Sequence, residues 1–563
     1  MPGHARAWSS RRWRRVTVVA ATAAIVAGSL TQGVPAAAVP PEPRNLAAGL
    51  DYTWSQEPDP TYPDEGRELT DGRYGELDIA DPAWVGHRVG KTREVVFDLG
   101  TPKSISRIQA HFLQDWPTSS VLVPLTVSFA VSHDRRSWAT LGHRSTQLLW
   151  GSGPPRDETY VWDGERDGLP RGNPNATMAY ARYVKVSFAV HTWAWHLLDE
   201  VEIHGVDGKL PQAKTPKPDR PGYLTPGPRT AGIKDLVLLY NGHYDHGKGD
   251  WTASRIVPYL SYVDTHGKPM ETLFDGVLYL GLRAPNGRNF ALGEATIDDW
   301  RWYLTKTFAR HGDLAQLDEA TRRVAQSLDK PSLRTKVVLM IPNPGEVLTD
   351  FGDVDGDGVP ESVSDADVGP ERALANREKI VRWWVDEVLQ SWAEARYSHL
   401  ELVGLYWLEE QISVIPAGPD LLRRVSDIVH RKNLTLFWIP HFLAYKSHMA
   451  SEVGIDAAAF QPNYFFETMS AERLEDAAAI AQQYGMGVEV EFDERMLTDD
   501  VFRERFVEYL DAGAVHGFMT DAFLAYYQGN DTVYQAAVSE DPRQRQLYEW
   551  LHEFVRGTYQ PRR

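Results

Sequence analysis

The chain contains no cysteine in 563 residues. That absence removes disulfides, thiolate nucleophiles and cysteine-ligated zinc together. Cations are in deficit: 59 Lys and Arg stand against 77 Asp and Glu, for a formal net charge of −18. Such an acidic surface repels phosphate backbones and anionic lipid, so nucleic acid and membrane-surface partners are disfavoured, while neutral or cationic polymers remain. Beyond residue 30 no apolar run is long enough to span a bilayer.

The amino-terminal residues are the exception to this pattern. A cationic cluster, Arg11, Arg12, Arg14 and Arg15, precedes an uncharged run from Val16 to about Leu30 and the small residues Ala36, Ala37 and Ala38. This is the layout of an export signal over residues 1–38, with cleavage before Val39 and a secreted mature protein; the paired arginines hint at twin-arginine export. Aromatic residues are plentiful at 11%, including 19 Trp, enough for a large core and for stacking surfaces.

Residues 207–232, "DGKLPQAKTPKPDRPGYLTPGPRTAG", lack apolar periodicity and read as a linker. Upstream, short β-branched and aromatic runs recur between turn signals, including "EVVFDLG", "LTVSFAVSHD", "RYVKVSFAV" and "DEVEIHG". Without helical patterns between them they predict an antiparallel sandwich over residues 45–206. The order "NLAAG", "ELTDG", "VVFDLG", "SHDRRSW", "ARYVKV", "DEVEIHG" resembles the discoidin, or coagulation factor type C, jelly-roll family. The resemblance implies a sugar-binding module with a structural calcium near the "DG" turn. Asp71 is then a calcium ligand, and Trp116, Trp193, Trp195 and His196 are sugar contacts. Packing in the core or at a domain interface is the competing role for these aromatics.

Downstream, apolar strand-like runs alternate with amphipathic stretches such as "NREKIVRWWVDEVLQSWAEA". The runs begin at Asp235, Phe274, Thr335, Leu400, Leu434, Ala457, Met486 and Ala514. Eight strands, each followed by a helix, predict a (β/α)8 TIM barrel over residues 233–563, because the runs are too apolar for a sheet with one wet face. The fold class is thus multidomain: an all-β jelly-roll sandwich followed by an α/β barrel.

Barrel active sites sit at the carboxyl ends of the strands, and polar residues follow nearly every run here. Asn241, His243 and Asp245 follow the first, Arg283 the second, Asn343 the third, and Glu409 and Glu410 the fourth. His441 follows the fifth, Asn463 and Tyr464 the sixth, Glu491 and Asp493 the seventh, and Asp521 the eighth. Strand alternation puts Val488, Val490 and Phe492 on the helix side of the seventh run and turns Glu489, Glu491 and Asp493 to the barrel axis. On the fourth run Tyr406 and Glu410 share one parity and Trp407 and Glu409 the other, and periodicity leaves both glutamates open.

Two carboxylates across a barrel mouth are what glycoside hydrolysis needs: one gives a proton to the leaving oxygen, the other attacks the anomeric carbon or activates water. The positions resemble those of the barrel hydrolases of the largest clan, which place the acid/base at the end of strand four and the nucleophile at the end of strand seven. The resemblance implies Glu491 as nucleophile and Glu410 or Glu409 as acid/base, in a retaining mechanism. The asparagine usual before the strand-four glutamate is absent, with Leu408 or Glu409 in its place. The phrases "LVLLYNGHYDHGKGDWT", "KVVLMIPNP", "HLELVGLYWLEE", "FWIPHF", "FQPNYFFE" and "YGMGVEVEFDE" are similar to a secreted bacterial family described only as a domain of unknown function, number four-eight-five-five.

In "DVDGDGVPE", Asp353, Asp355 and Asp357 alternate before Gly358, a spacing of hard oxygen ligands that suits calcium; Ser364 at position twelve excludes an ordinary EF-hand. "HYDH" at residues 243–246 lacks metalloprotease spacing and reads as substrate-binding. The expected cofactor is calcium and the expected partner a carbohydrate polymer or glycan. Two other readings compete with an exported glycoside hydrolase: a non-catalytic carbohydrate-binding protein, and a polysaccharide-modifying enzyme of another type such as a lyase.

Overall fold

A long, bent strand organises the amino-terminal region, a ten-stranded sheet folded on itself into two layers. Arg93–Gln114 pairs with Met178–Phe188 along its first half, and with His196–Asp207 and Arg156–Asp163 along its second. The register shifts between Asp98 and Ser104, where Gly100 has φ +74° and lets the strand bend from one layer to the other. Thr126–Ser132 and Trp138–Ser145 extend the first layer. Inward residues such as Val95, Phe97, Phe112, Phe129, Val186 and Ile203 fill the space between layers. The computed structural model describes residues 42–148, 151–170 and 176–562. The predicted export signal lies outside the described residues, among which no helix is long and apolar enough to cross a membrane.

The carboxy-terminal region is a closed barrel of eight parallel strands. They are β1 (Asp235–Tyr240), β2 (Gly276–Leu280), β3 (Thr335–Ile341), β4 (Leu400–Trp407), β5 (Thr435–Trp438), β6 (Ala457–Phe460), β7 (Gly487–Glu491) and β8 (Leu524–Tyr527). β1 pairs with both β2 and β8, which closes the ring. Both faces of each strand are covered, so β1 buries Leu236, Val237, Leu238 and Leu239 alike. The helix Pro370–Ala395 shows how the outer layer forms. Proline stands at its start, and Leu374, Arg377, Ile380, Val381, Trp384 and Val388 recur at i+3 and i+4 to make its buried face.

Two expectations need correction. The eighth strand does not begin at Ala514. Ala514 and Val515 end a helix, Phe518–Asp521 is a further helical turn, and the strand is the short run Leu524–Tyr527. Phe518 packs against Tyr223 and Phe554 instead of forming the barrel wall, and Met519 is buried in the same turn. Nor is every strand followed by an α-helix: between β5 and β6 there is only the 3₁₀ turn Ser447–Met449, entered through Lys446 at φ +59°.

The sandwich packs against this helix-poor flank. Phe442, Leu443, Phe460 and Ile480 of the barrel face Leu125, Phe188 and Ala189 of the sandwich across a narrow seam. Tyr445 donates to the Thr146 carbonyl at 2.9 Å, Thr92 donates to Asp476 from both its amide and its hydroxyl, and Lys91 pairs with Glu475. The linker is tied down as well. Asp219 accepts from the Thr140 amide at 2.8 Å, the Gly222 amide donates to the Gln482 carbonyl at 3.0 Å, and Leu224 is buried.

Candidate active site

The register of β7 rests on Gly487, where a Cβ would lie 2.0 Å from the Phe523 carbonyl oxygen, so no larger residue allows β7 this close to the entry of β8. From Gly487 the alternation turns Val488 and Val490 outward and Glu489 and Glu491 inward. Both acids line a cavity of about 180 Å³ at the carboxyl ends of the strands. Tyr240, Tyr406, Leu408, Glu410, Gln461, Phe466 and Tyr527 share its wall. On the β4 side the alternation continues past the strand end: Tyr406, Leu408 and Glu410 line the cavity and Glu409 does not. Glu409 instead lies beside Glu346, and its backbone carbonyl accepts from the Trp438 indole at 2.7 Å.

The three cavity acids differ in their partners. Glu491 is buried and accepts the Asn463 amide at 2.7 Å, the Asn463 side chain at 3.4 Å and the Tyr509 hydroxyl. Burial pushes its carboxyl up, to about 8, against the Tyr509 and Asn463 donors, with Glu410 and Glu467 adding to the rise. Asn463 adopts φ +54°, a left-handed turn that asparagine tolerates, and this aims its backbone N–H at the carboxylate. Glu489 is 2% exposed, and its Oε1 has no hydrogen-bond partner. Burial, then the charges of Glu491 and Glu410, drive it far above the usual carboxylate range. The Tyr509 and Asn463 donors oppose that rise at Glu491 and no donor opposes it at Glu489, so Glu491 is the more readily ionised of the two. Glu410 reaches solvent in the mouth yet is walled in by protein; that crowding raises its carboxyl, with Gln461 opposing.

The other expected site residues are dispersed. Asn241 is fully buried and staples β1 to the outer helices, donating to Thr307 and Asp313 at 3.1 Å and accepting from Tyr303 at 2.7 Å. Asn343 closes a turn through the Gly345 amide and the Ala291 carbonyl, and Asp493 is forked onto Arg495. Trp407 and Tyr464 are buried outside the cavity lining. His441 stands at the rim, where burial lowers it to about 4, and its amide donates to the Glu410 carbonyl at 3.3 Å. His243, Asp245 and Arg283 are exposed on loops above β1 and β2. Asp521 precedes β8, at the opposite end of the barrel from the cavity. Tyr240, Gln461, Phe466, Tyr509 and Tyr527 are site residues that sequence reasoning missed. Gln461, in "FQPNY", carried the one usable signal, a polar residue directly after an apolar run.

Two acidic groups are candidates for a cation. Asp353, Asp355 and Asp357 bring carboxylate oxygens within 4.8 Å of one another. Asp353 also accepts the Gly356 and Gly358 amides, and Lys379 bridges Asp355 and Glu361 at 2.7 Å each, so an ammonium already serves part of this cluster. In the sandwich, Glu200 is buried beside Asp71, accepts the Gly72 amide at 3.0 Å, and leaves Oε1 without a partner. Burial, with Asp71, Glu202 and Asp199 adding to the rise, pushes Glu200 up to about 8. His196 is fully buried and bonded to the Leu122 carbonyl at 2.7 Å, whereas Trp193 is 47% exposed.

The raised acids set a pH signature. Glu409 and Glu491 rise to about 8 from 4.5, so above the histidine range the native state holds protons that the unfolded chain has lost, and stability falls as pH rises through about 7 to 9. Below pH 6.5 the sign reverses. Burial lowers His143, His196 and His441 to about 4, so the unfolded chain binds protons first and stability falls as pH drops. Urea titrations should show a maximum near neutrality and a loss on the order of 1–2 kcal/mol on the alkaline side. Glu491→Gln should flatten part of that alkaline limb, and an equally steep limb in the variant would remove Glu491 as a cause.

No curated protein matches the sequence. Solved structures similar to this chain include carbohydrate-binding modules. CpGH89CBM32-6 produced by Clostridium perfringens is 17% identical, over 29% of this chain and 99% of that one, with a TM-score of 0.19. The chitosan-binding module 1 from a chitosanase/glucanase of Paenibacillus sp. IK-5 is 20% identical, over 29% and 99%, with a TM-score of 0.19. A Streptococcus pneumoniae fucose binding module is 17% identical, over 29% and 94%, with a TM-score of 0.20. The family model described as "Domain of unknown function (DUF4855)" matches residues 235–553, from the first barrel strand into the last helix, and the chain belongs to that family.

Proposed function

We propose that the protein is a secreted glycoside hydrolase acting on a neutral or cationic polysaccharide or glycan, with its sandwich as the carbohydrate-binding module. One observation carries this reading: Glu410 and Glu491, from β4 and β7, face one cavity at the carboxyl end of a closed parallel barrel, both held above the ordinary carboxylate range. Among the described residues, no lysine or arginine lines that cavity, which disfavours uronate or sulfated substrates.

In the retaining route, Glu491 in its carboxylate form, held by Tyr509 and Asn463, attacks the anomeric carbon. As the glycosidic C–O bond breaks, Glu410 transfers its proton to the leaving oxygen, which departs as an alcohol. Glu410, now a carboxylate, takes a proton from water, whose oxygen displaces Glu491 and frees the sugar. Glu489, neutral beside Glu491, keeps a second negative charge out of the cavity floor and leaves Glu491 as the electron-rich oxygen pair. The test is reducing-end release from a panel of plant, fungal and bacterial polysaccharides by the wild type, Glu491→Gln and Glu410→Gln. Release that persists undiminished in either variant refutes these roles.

Calcium is proposed as a structural ion. The sandwich site fits it best, since Asp71 and the unpartnered Glu200 Oε1 offer hard oxygens while the nearby Arg73 guanidinium is paired with Asp81. Bound there, calcium would neutralise a buried carboxylate and brace the loop from Asp71 to Gly75, whose Gly75 amide is held by Asp199 at 2.6 Å. Calcium at a hundredfold excess over its Kd should stabilise the fold by about 2.7 kcal/mol. Thermal melts with calcium and with chelator check this, and an identical gain in Glu200→Gln would move the ion elsewhere.

A further inference from the structure

The sandwich does more than dock beside the barrel. We infer that its loop 191–195 forms an outer subsite of the barrel's own cleft, where Trp193 and Trp116 stack against a distal part of the carbohydrate chain cleaved between Glu410 and Glu491. This rests on the hydrolase reading.

Three contacts place the loop on the rim of the cavity. The Thr192 hydroxyl donates to Glu467 at 3.2 Å. Glu467 directly follows Phe466, which lines the cavity and meets Tyr527 edge-on at 5.3 Å. His191 lies in the electrostatic range of His441 and Arg473, and His441 holds the backbone carbonyl of Glu410. The loop therefore spans the β5 and β6 sectors of the mouth. Adjacent Cα atoms are only about 3.8 Å apart, so the Thr192–Glu467 bond sets Trp193 and Phe466 on one continuous rim.

The chemistry of the platform suits a pyranose. Trp193 is half-exposed, with its ring 5.3 Å from Trp116 and 4.8 Å from His191, so the indole is braced from behind and keeps apolar surface toward water. An isolated exposed tryptophan is unremarkable on a protein surface; one fixed two contacts from a carboxylate-lined cavity extends that cavity. Its position is rigid because Tyr445, Asp476 and Glu475 tie the sandwich to the same flank. A fixed second site raises the effective concentration of a long chain at the cavity without any change in affinity for a short one.

The full chain, Trp193→Ala, Trp116→Ala and the strut variant Thr192→Val/Glu467→Gln are run in affinity gels containing chitosan, hydroxyethyl cellulose, laminarin or galactomannan. Calorimetry with the matching tetrasaccharides and reducing-end release complete the set. The wild type should be retarded by at least one polymer, with retention weakened about tenfold in Trp193→Ala and tetrasaccharide affinity unchanged. The strut variant, which keeps both tryptophans, should lose part of the same retention. Equal losses for polymer and tetrasaccharide would make the platform a self-contained site and overturn the shared cleft. So would tryptophan-independent retention, or no retardation by any polymer. Release without any tryptophan dependence refutes the platform and leaves the hydrolase standing. Length-selective, tryptophan-dependent retention without release does the reverse.

Discussion

Glu491→Gln should reduce kcat/KM by about 10³-fold or more on any polymer the protein cleaves, and Glu410→Gln should do so only where the leaving group needs a proton. The asymmetry follows from the site. Glutamine at 491 keeps the shape and the Asn463 and Tyr509 contacts but cannot form the ester, so every substrate suffers. Glutamine at 410 removes a proton donor, which matters for a sugar alkoxide and little for an aryl leaving group already stable as an anion. Rates on a polysaccharide and on a nitrophenyl glycoside of the same sugar separate the roles. Equal loss on both for Glu410→Gln would remove it as the acid, and Glu409→Gln, outside the cavity, is the control expected to keep most activity.

The second large effect concerns stability. Asp313 is buried beneath β1 and accepts from Lys306 at 2.8 Å, from the Trp251 amide at 3.1 Å and from Asn241 at 3.1 Å. Asp313→Ala leaves the Lys306 ammonium with only the Gly249 carbonyl at 2.9 Å and the exposed Asp250 at 3.2 Å, strands two further donors, and should cost about 3–5 kcal/mol, read as a shift in the urea midpoint. Asn241→Ala removes one neutral member and should cost about 1–2 kcal/mol. If the alanine at 313 were no worse than the alanine at 241, the ion pair would not be the anchor of this layer.

Asn241 also shows where sequence reading reaches its limit. A polar residue directly after a buried strand has two fates, facing the cavity or being drawn into the outer layer. The partner that decides, Asp313, lies 72 residues away. Glu489 and Glu491 were legible because a period of two inside a well-formed strand leaves no freedom. Glu409 and Glu410 were not, since β4 ends at Trp407 and only the structure shows that the alternation persists beyond it. The eight-strand count is readable from apolar runs, but β8 has four residues and no stronger apolarity than the helical turn before it, so the sequence reads as a strand from Ala514 to Phe523. In the sandwich, "HTWAWH" presents two tryptophans and two histidines with no local cue to their exposure. Trp193 points out, whereas His191 and His196 are core residues that shape the loop around it.

The missing helix between β5 and β6 has an evolutionary consequence. In a chain of independent modules, recombination can delete or exchange one domain and leave its neighbour intact. Here the flank carrying Phe442, Leu443 and Ile480 has no cover of its own, so a barrel inherited without its sandwich would expose a sticky face. The cost of that exposure favours joint inheritance of the two parts, and a new amino-terminal module would have to reproduce the surface of Leu125, Phe188 and Ala189.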